Sequence, residues 1–146
     1  MSIQFFQEGI SYRIPKKRNL RRWLGQVASE HDGEIDSVNF ILCSDDRLLE
    51  INRQYLDHDY YTDVISFPYH EPDEPIAGDI YISIDRVKEH AHDLSISTLD
   101  ELHRVMVHGL LHLLGFGDDS PSRQEEMTRW EDYHLAQLSK MFHVEP

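Results

Sequence analysis

The stretch HGLLHLLGFGDDS, residues 108–120, holds the residue types best suited to chemistry in this chain. His108 and His112 are four residues apart, so on a helix they share a face one turn apart and aim two imidazoles at a common point. Gly115 follows three residues after His112, where a residue with positive φ can end a helix and reverse the chain. Asp118 then comes back six residues after His112, with Asp119 beside it. Two imidazoles and a carboxylate make a three-ligand set that leaves a fourth position open, the arrangement of a catalytic zinc rather than a structural one. Asp118 and Asp119 have a second use, as acids that favour the positive end of a following helix. The neighbours weigh toward the metal. Val105, Met106, Val107, Leu110, Leu111, Leu113 and Leu114 make the helix apolar nearly all round, hence buried. Buried imidazoles need partners, and a cation supplies one.

The whole pattern, His-x-x-x-His-x-x-Gly-x-x-Asp, matches the metzincin ligand spacing with aspartate as the third ligand. Gly109 argues against peptidase chemistry, because helix-borne zinc peptidases carry their general-base glutamate at that place. A glycine inside a helix also costs about 1 kcal/mol relative to alanine, so some group must approach the backbone closely there.

The elements that must position this helix can be read along the chain. IQFFQEG reads as a short strand closed by Gly9, and residues 16–31 as an amphipathic helix with Leu20, Trp23, Leu24, Val27 and Ala28 on one side. EIDSVNFILCS has strand composition. DDRLLEINRQYL reads as a helix capped by Ser44 or Asp45, with Leu48, Leu49, Ile51 and Tyr55 as core positions. TDVISFP and GDIYISI are two strand runs that do not alternate cleanly, which predicts burial on both faces. Asp63 and Asp79 stand at the starts of these runs, where a turn or capping role is read ahead of catalysis. DRVKEHAHDL is helical, and Thr98-Leu-Asp-Glu101 reads as a capping box opening a helix that runs to Leu114. Ser120-Pro121 opens a last helix that carries Met127, Trp130, Tyr133, Leu135 and Leu138. The expected fold is α+β: a single mixed sheet of about four strands packed with about five helices, the metal site on a buried central helix. The 146 residues suit one domain, residues 1–146.

Net charge is −13. The basic groups Arg13, Lys16, Lys17, Arg18, Arg21 and Arg22 concentrate near the start, against Glu8 and Glu30. An acidic bulk repels nucleic acid, so an RNA partner must be met by a metal, by that basic segment, or through another protein. The segment KKRNLRR also reads simply as a solvated helix face. No apolar run is long enough to span a membrane, no secretory signal is visible, and a lone cysteine, Cys43, forms no internal disulfide. These features are those of a cytoplasmic protein.

HGLLHLLGFGDD, preceded by TDVISFP and GDIYISIDRV and followed by EEMTRWED, resembles the YbeY family of bacterial endoribonucleases and ribosomal RNA maturation factors. The resemblance covers about residues 44–135. It implies a zinc on a buried central helix and single-strand-specific RNA cleavage. It also implies a role in small-subunit ribosomal RNA 3′-end maturation and ribosome quality control, with the small subunit or its proteins as partners. It implies His108 and His112 as the first two ligands. Asp118 falls where the family usually has its third histidine, with Asp119 as the alternative. An aspartate there lowers the net charge of the site and opens it to other divalent metals such as manganese. Leu56 stands where family members often have an arginine thought to contact substrate phosphate. Arg53 or Arg104 are candidates to replace it. Arg104 lies one turn before His108 on the same face, with a salt bridge to Glu101 as its other reading. Two other functions remain open on the sequence: a metallohydrolase of another substrate class, and a non-catalytic assembly factor with a structural metal.

Overall fold

The computed structural model describes residues 1–144. The elements run β1 (Ser2–Gln7), α1 (Lys17–Glu30), β2 (Ile35–Cys43), α2 (Asp45–Leu56), β3 (Val64–Pro68), β4 (Ile76–Ser83), α3 (Ile84–Leu94), α4 (Thr98–Leu113) and α5 (Pro121–Val144). The four strands form one sheet in the order β1-β2-β4-β3. β1 pairs parallel to β2 and β2 parallel to β4, while β3 runs antiparallel to β4 as an edge. The fold is therefore α+β with a mixed sheet and five helices, as expected.

Four helices start on a serine whose hydroxyl oxygen accepts a backbone N–H three residues on. Ser44 accepts from Arg47, Ser83 from Arg86, Ser97 from Asp100 and Ser120 from Arg123. Each satisfies a donor that the first helical turn leaves orphaned, worth about 1 kcal/mol. The expected capping box at Thr98 is thereby corrected. Ser97 is the cap, and Glu101 turns into the protein instead of back toward the helix start.

The main core lies between one face of the sheet and α1, α4 and α5. Leu20, Trp23 and Leu24 of α1, Phe40 and Leu42 of β2, Ile80 and Ile82 of β4, and Met106 and Leu110 of α4 are all fully buried in it. A smaller cluster of Cys43, Leu48, Ile51 and Ile65 packs α2 on the other face. Because α2 covers only part of that face, β4 alternates: Ile80 and Ile82 are buried while Asp79 and Tyr81 are half-exposed. The edge strand β3 fully buries only Ile65. Burial of these strands on both faces is therefore not what the fold uses. Asp79 lies within β4 rather than at its start, and its carboxylate accepts from Asn39 Nδ2 and Tyr69 OH, both at 3.0 Å.

One expected core residue lies outside. Tyr55 is 63% exposed, its ring edge-on to Phe67 beyond the last strand, where the sheet has no further layer to cover it. Tyr133 is exposed on α5, the outer helix, and meets Trp130 edge-on. Part of the basic segment is structural. Arg21 Nε donates to the Ile3 carbonyl at 2.8 Å and its guanidinium stacks over Phe5.

Candidate metal centre

α4 crosses the sheet with its glycine at the point of closest approach. A Cβ on Gly109 would stand 2.7 Å from Ile80 Cγ2 and 3.3 Å from Ser66 Oγ, so only glycine fits against β3 and β4. The Ser66 hydroxyl donates to the Gly109 carbonyl at 3.2 Å, tying the helix to the edge strand. His108 and His112 flank this contact and open onto a cavity of about 410 Å³. At the helix end Leu114 is the last cap residue, and Gly115 with φ 103° turns the chain back.

The turn delivers Asp118 to the two rings. His108 Nε2 and His112 Nε2 are 3.0 Å apart, and Asp118 Oδ2 lies 3.5 Å from the first and 3.3 Å from the second. Ligand atoms about 2.1 Å from one ion, at tetrahedral or octahedral angles, stand about 3.0–3.4 Å from one another. Asp119 points elsewhere and accepts from Arg123 Nη1 at 3.1 Å.

The protons agree with the distances. His108 Nδ1 donates to Glu131 Oε2 at 2.7 Å, and the His112 ring hydrogen-bonds the Phe116 backbone. In the neutral tautomer that keeps its δ proton on this bond, His108 would turn a lone pair toward His112 and the Asp118 carboxylate. Acceptors converging on one point is a donor set that a cation resolves. Burial disfavours charging His108, but the hydrogen bond and charge of Glu131 outweigh it and raise the pKa. His112 is pushed down by burial and by neighbouring His108. The residues thus fit a divalent metal held by His108, His112 and Asp118.

Glu131 was not singled out from the sequence, although it is only 7% exposed and central to the arrangement. Its signal was present. Met127, Trp130, Glu131, His134 and Leu138 follow the inward stripe of α5, and a carboxylate in such a stripe needs a buried partner. Glu131 also accepts from Arg104 Nη1 at 3.1 Å, while Arg104 Nη2 donates to Asp132 at 3.0 Å. The partners of Arg104 are therefore on α5 rather than Glu101. Arg53 pairs with Asp59. Neither arginine lines the cavity, whereas Leu56 does, together with Asn52, His58, Tyr60 and Asp63. Asp63 immediately precedes β3, and its carbonyl accepts from Ser83 N at 2.9 Å. No described helix is long and apolar enough to cross a membrane.

Known proteins resemble this chain over nearly its whole length. Residues 3–139 match the family model described as Endoribonuclease YbeY. A protein named Endoribonuclease YbeY from Cytophaga hutchinsonii is 45% identical over 135 residues, covering 92% of this chain and 94% of its own length. One of the same name from Bacteroides thetaiotaomicron is 40% identical, covering 93% and 98%. The solution structure of TM1509 from Thermotoga maritima superposes with a TM-score of 0.67 at 28% identity, covering 99% of this chain and 93% of that one. With the motif order, the fold and nearly the whole length in agreement, the chain belongs to the YbeY family.

Proposed function

We propose that this chain is a metal-dependent, single-strand-specific endoribonuclease of ribosomal RNA processing, its residues 1–146 working as one domain. The observation that carries the reading is the convergence of His108, His112 and Asp118 on one point at the wall of an open cavity. His108, His112 and Asp118 would hold one zinc ion, and the aspartate would admit other divalent metals. When bound, the ion supplies a Lewis acid for a phosphate oxygen and lowers the pKa of water.

The protein's own groups do the positioning. Glu131 fixes the His108 ring and its tautomer, and Arg104 holds Glu131 in place, so Arg104 acts through Glu131 rather than on phosphate. Asn52, His58, Tyr60 and Asp63 give the cavity polar walls, and Leu56 gives it an apolar one where an arginine is expected. The carboxylate that a zinc peptidase needs beside its first histidine is absent, since position 109 is glycine. RNA therefore suits the site better than peptide. Activity in the cytoplasm and contact with the ribosomal small subunit follow from the same reading.

The test is cleavage of a single-stranded RNA oligonucleotide, its duplex and an unfolded protein, with and without chelator, by wild type and His112→Ala. The reading expects cleavage of single-stranded RNA alone, abolished by chelator and by the substitution while circular dichroism stays native. A His112→Ala protein that folds and still cleaves RNA overturns it. A variant that merely unfolds points to a structural metal in an assembly factor.

A further inference from the structure

A second group of ligating side chains lies two helical turns from the first. Glu101 and His108 are seven residues apart on α4, so they share a face about 10 Å apart along the axis. Across from Glu101 stand His90 of α3 and Asp63 just before β3. His90 Nδ1 is 3.8 Å from Asp63 Oδ2 and 4.0 Å from Glu101 Oε2. Asp63, His90 and Glu101 each offer one ligand atom, and these lie within 4.8 Å of one another. These separations exceed hydrogen-bond reach, so the side chains do not satisfy one another.

Glu101 is the telling member. It is only 5% exposed, and its Oε1 has no hydrogen-bond partner among the described residues. A buried carboxylate left unpaired costs several kcal/mol unless it is neutralised. Arg104, one turn away, is drawn off by Glu131 and Asp132. His90 is half-exposed at a distance that leaves room for a bridging atom. Two carboxylates and one imidazole, drawn from three elements and spaced around a common gap, form a donor set that one cation would satisfy.

We propose that Asp63, His90 and Glu101 bind a second divalent cation, distinct from the one at His108, His112 and Asp118. Two oxygens and one nitrogen suit manganese or zinc. Asp63 also lines the cavity onto which His108 opens, so the proposed second site adjoins that cavity through Asp63. There it adds positive charge where an acidic protein must receive phosphate. The site is independent of the proposed nuclease activity, which the first ion alone can support.

The test is titration of metal-stripped full-length protein with Mn²⁺ by calorimetry, repeated on Glu101→Gln, His90→Gln and His112→Ala. Glu101→Gln keeps the shape of a buried side chain, and His90→Gln alters a half-exposed one. Wild type is expected to bind two ions. Glu101→Gln and His90→Gln should each lose one, or weaken it at least roughly tenfold. His112→Ala should lose the other and keep the one that depends on Glu101. A single ion that disappears with Glu101→Gln and His90→Gln but survives His112→Ala also supports the second site, while removing the first. Unchanged stoichiometry and affinity in both Glu101→Gln and His90→Gln overturn the proposal and leave the first site standing.

Discussion

Glu131 is the residue on which the first site's ligand geometry turns, and replacing it gives a graded prediction. Its carboxylate accepts the His108 Nδ1 proton at 2.7 Å and an Arg104 donor at 3.1 Å, in a setting with little water. A hydrogen bond to a charged acceptor contributes about 1.5–3 kcal/mol. Losing the carboxylate behind a ligating histidine typically costs 10–100-fold in metal affinity, about 1.4–2.7 kcal/mol. Glutamine keeps one oxygen for His108 but loses the charge, so Glu131→Gln should lie near the low end, about tenfold. Alanine removes the acceptor and frees the ring to rotate, so Glu131→Ala should lie near the high end, about 100-fold. The assay is chelator competition for Zn²⁺, paired with single-stranded RNA cleavage at saturating metal and thermal unfolding of the metal-free protein. The expected order of affinity is wild type, glutamine, alanine, with folding retained. Wild-type affinity in Glu131→Ala would refute the reasoning, because His108 would then hold its orientation without the bond. So would a loss of affinity that tracks only a collapse of metal-free stability.

Three further outcomes can be checked directly. Gly109→Ala gains about 1 kcal/mol of helix propensity but forces a Cβ to 2.7 Å from the stiff Ile80 side chain, an overpacking cost of about 1–3 kcal/mol, so urea unfolding should show a net loss; a net gain would show that β4 yields easily. Asp118→Asn should weaken zinc binding roughly tenfold or more while Asp119→Asn leaves it unchanged, and equal losses would mean that the turn delivers either aspartate. Burial pushes the His103 pKa down to about 4, so the unfolded chain takes up a proton below pH 6.5 that the folded chain refuses. Its contribution is whole above pH 6.5 and is lost as pH falls toward 4, about 2.5 kcal/mol by pH 4.5. His103→Phe should flatten that part of a stability-versus-pH curve measured in urea, and an unchanged slope would assign the acid sensitivity elsewhere.

What the sequence discloses and what it hides divide along one line. The chemistry of α4 is local: two histidines at helical spacing, a glycine that must touch something, a turn and an aspartate. Each follows from residues a few positions apart, and the fold keeps all of them together. The errors come where a residue's surroundings belong to another element. Tyr55 has the periodicity of a core residue, but periodicity names a face and not whether a further layer covers it. The capping box at Thr98 gives way because Ser97 caps the helix one residue earlier, accepting from Asp100 N, and Glu101 turns inward. Arg104 shares the His108 face of α4, yet its partners depend on how α5 docks. Glu131 lies 23 residues from His108 in the chain and 2.7 Å from it in space, and no local pattern contains that distance. A short motif can therefore show which side chains converge, while the packing of distant helices decides what holds their rings in place. The second property decides whether His108 presents a lone pair or a proton to the site. The nuclease reading rests on the first through the motif and on the second through α5, so damage to the docking of α5 should impair metal binding before it disturbs the sheet.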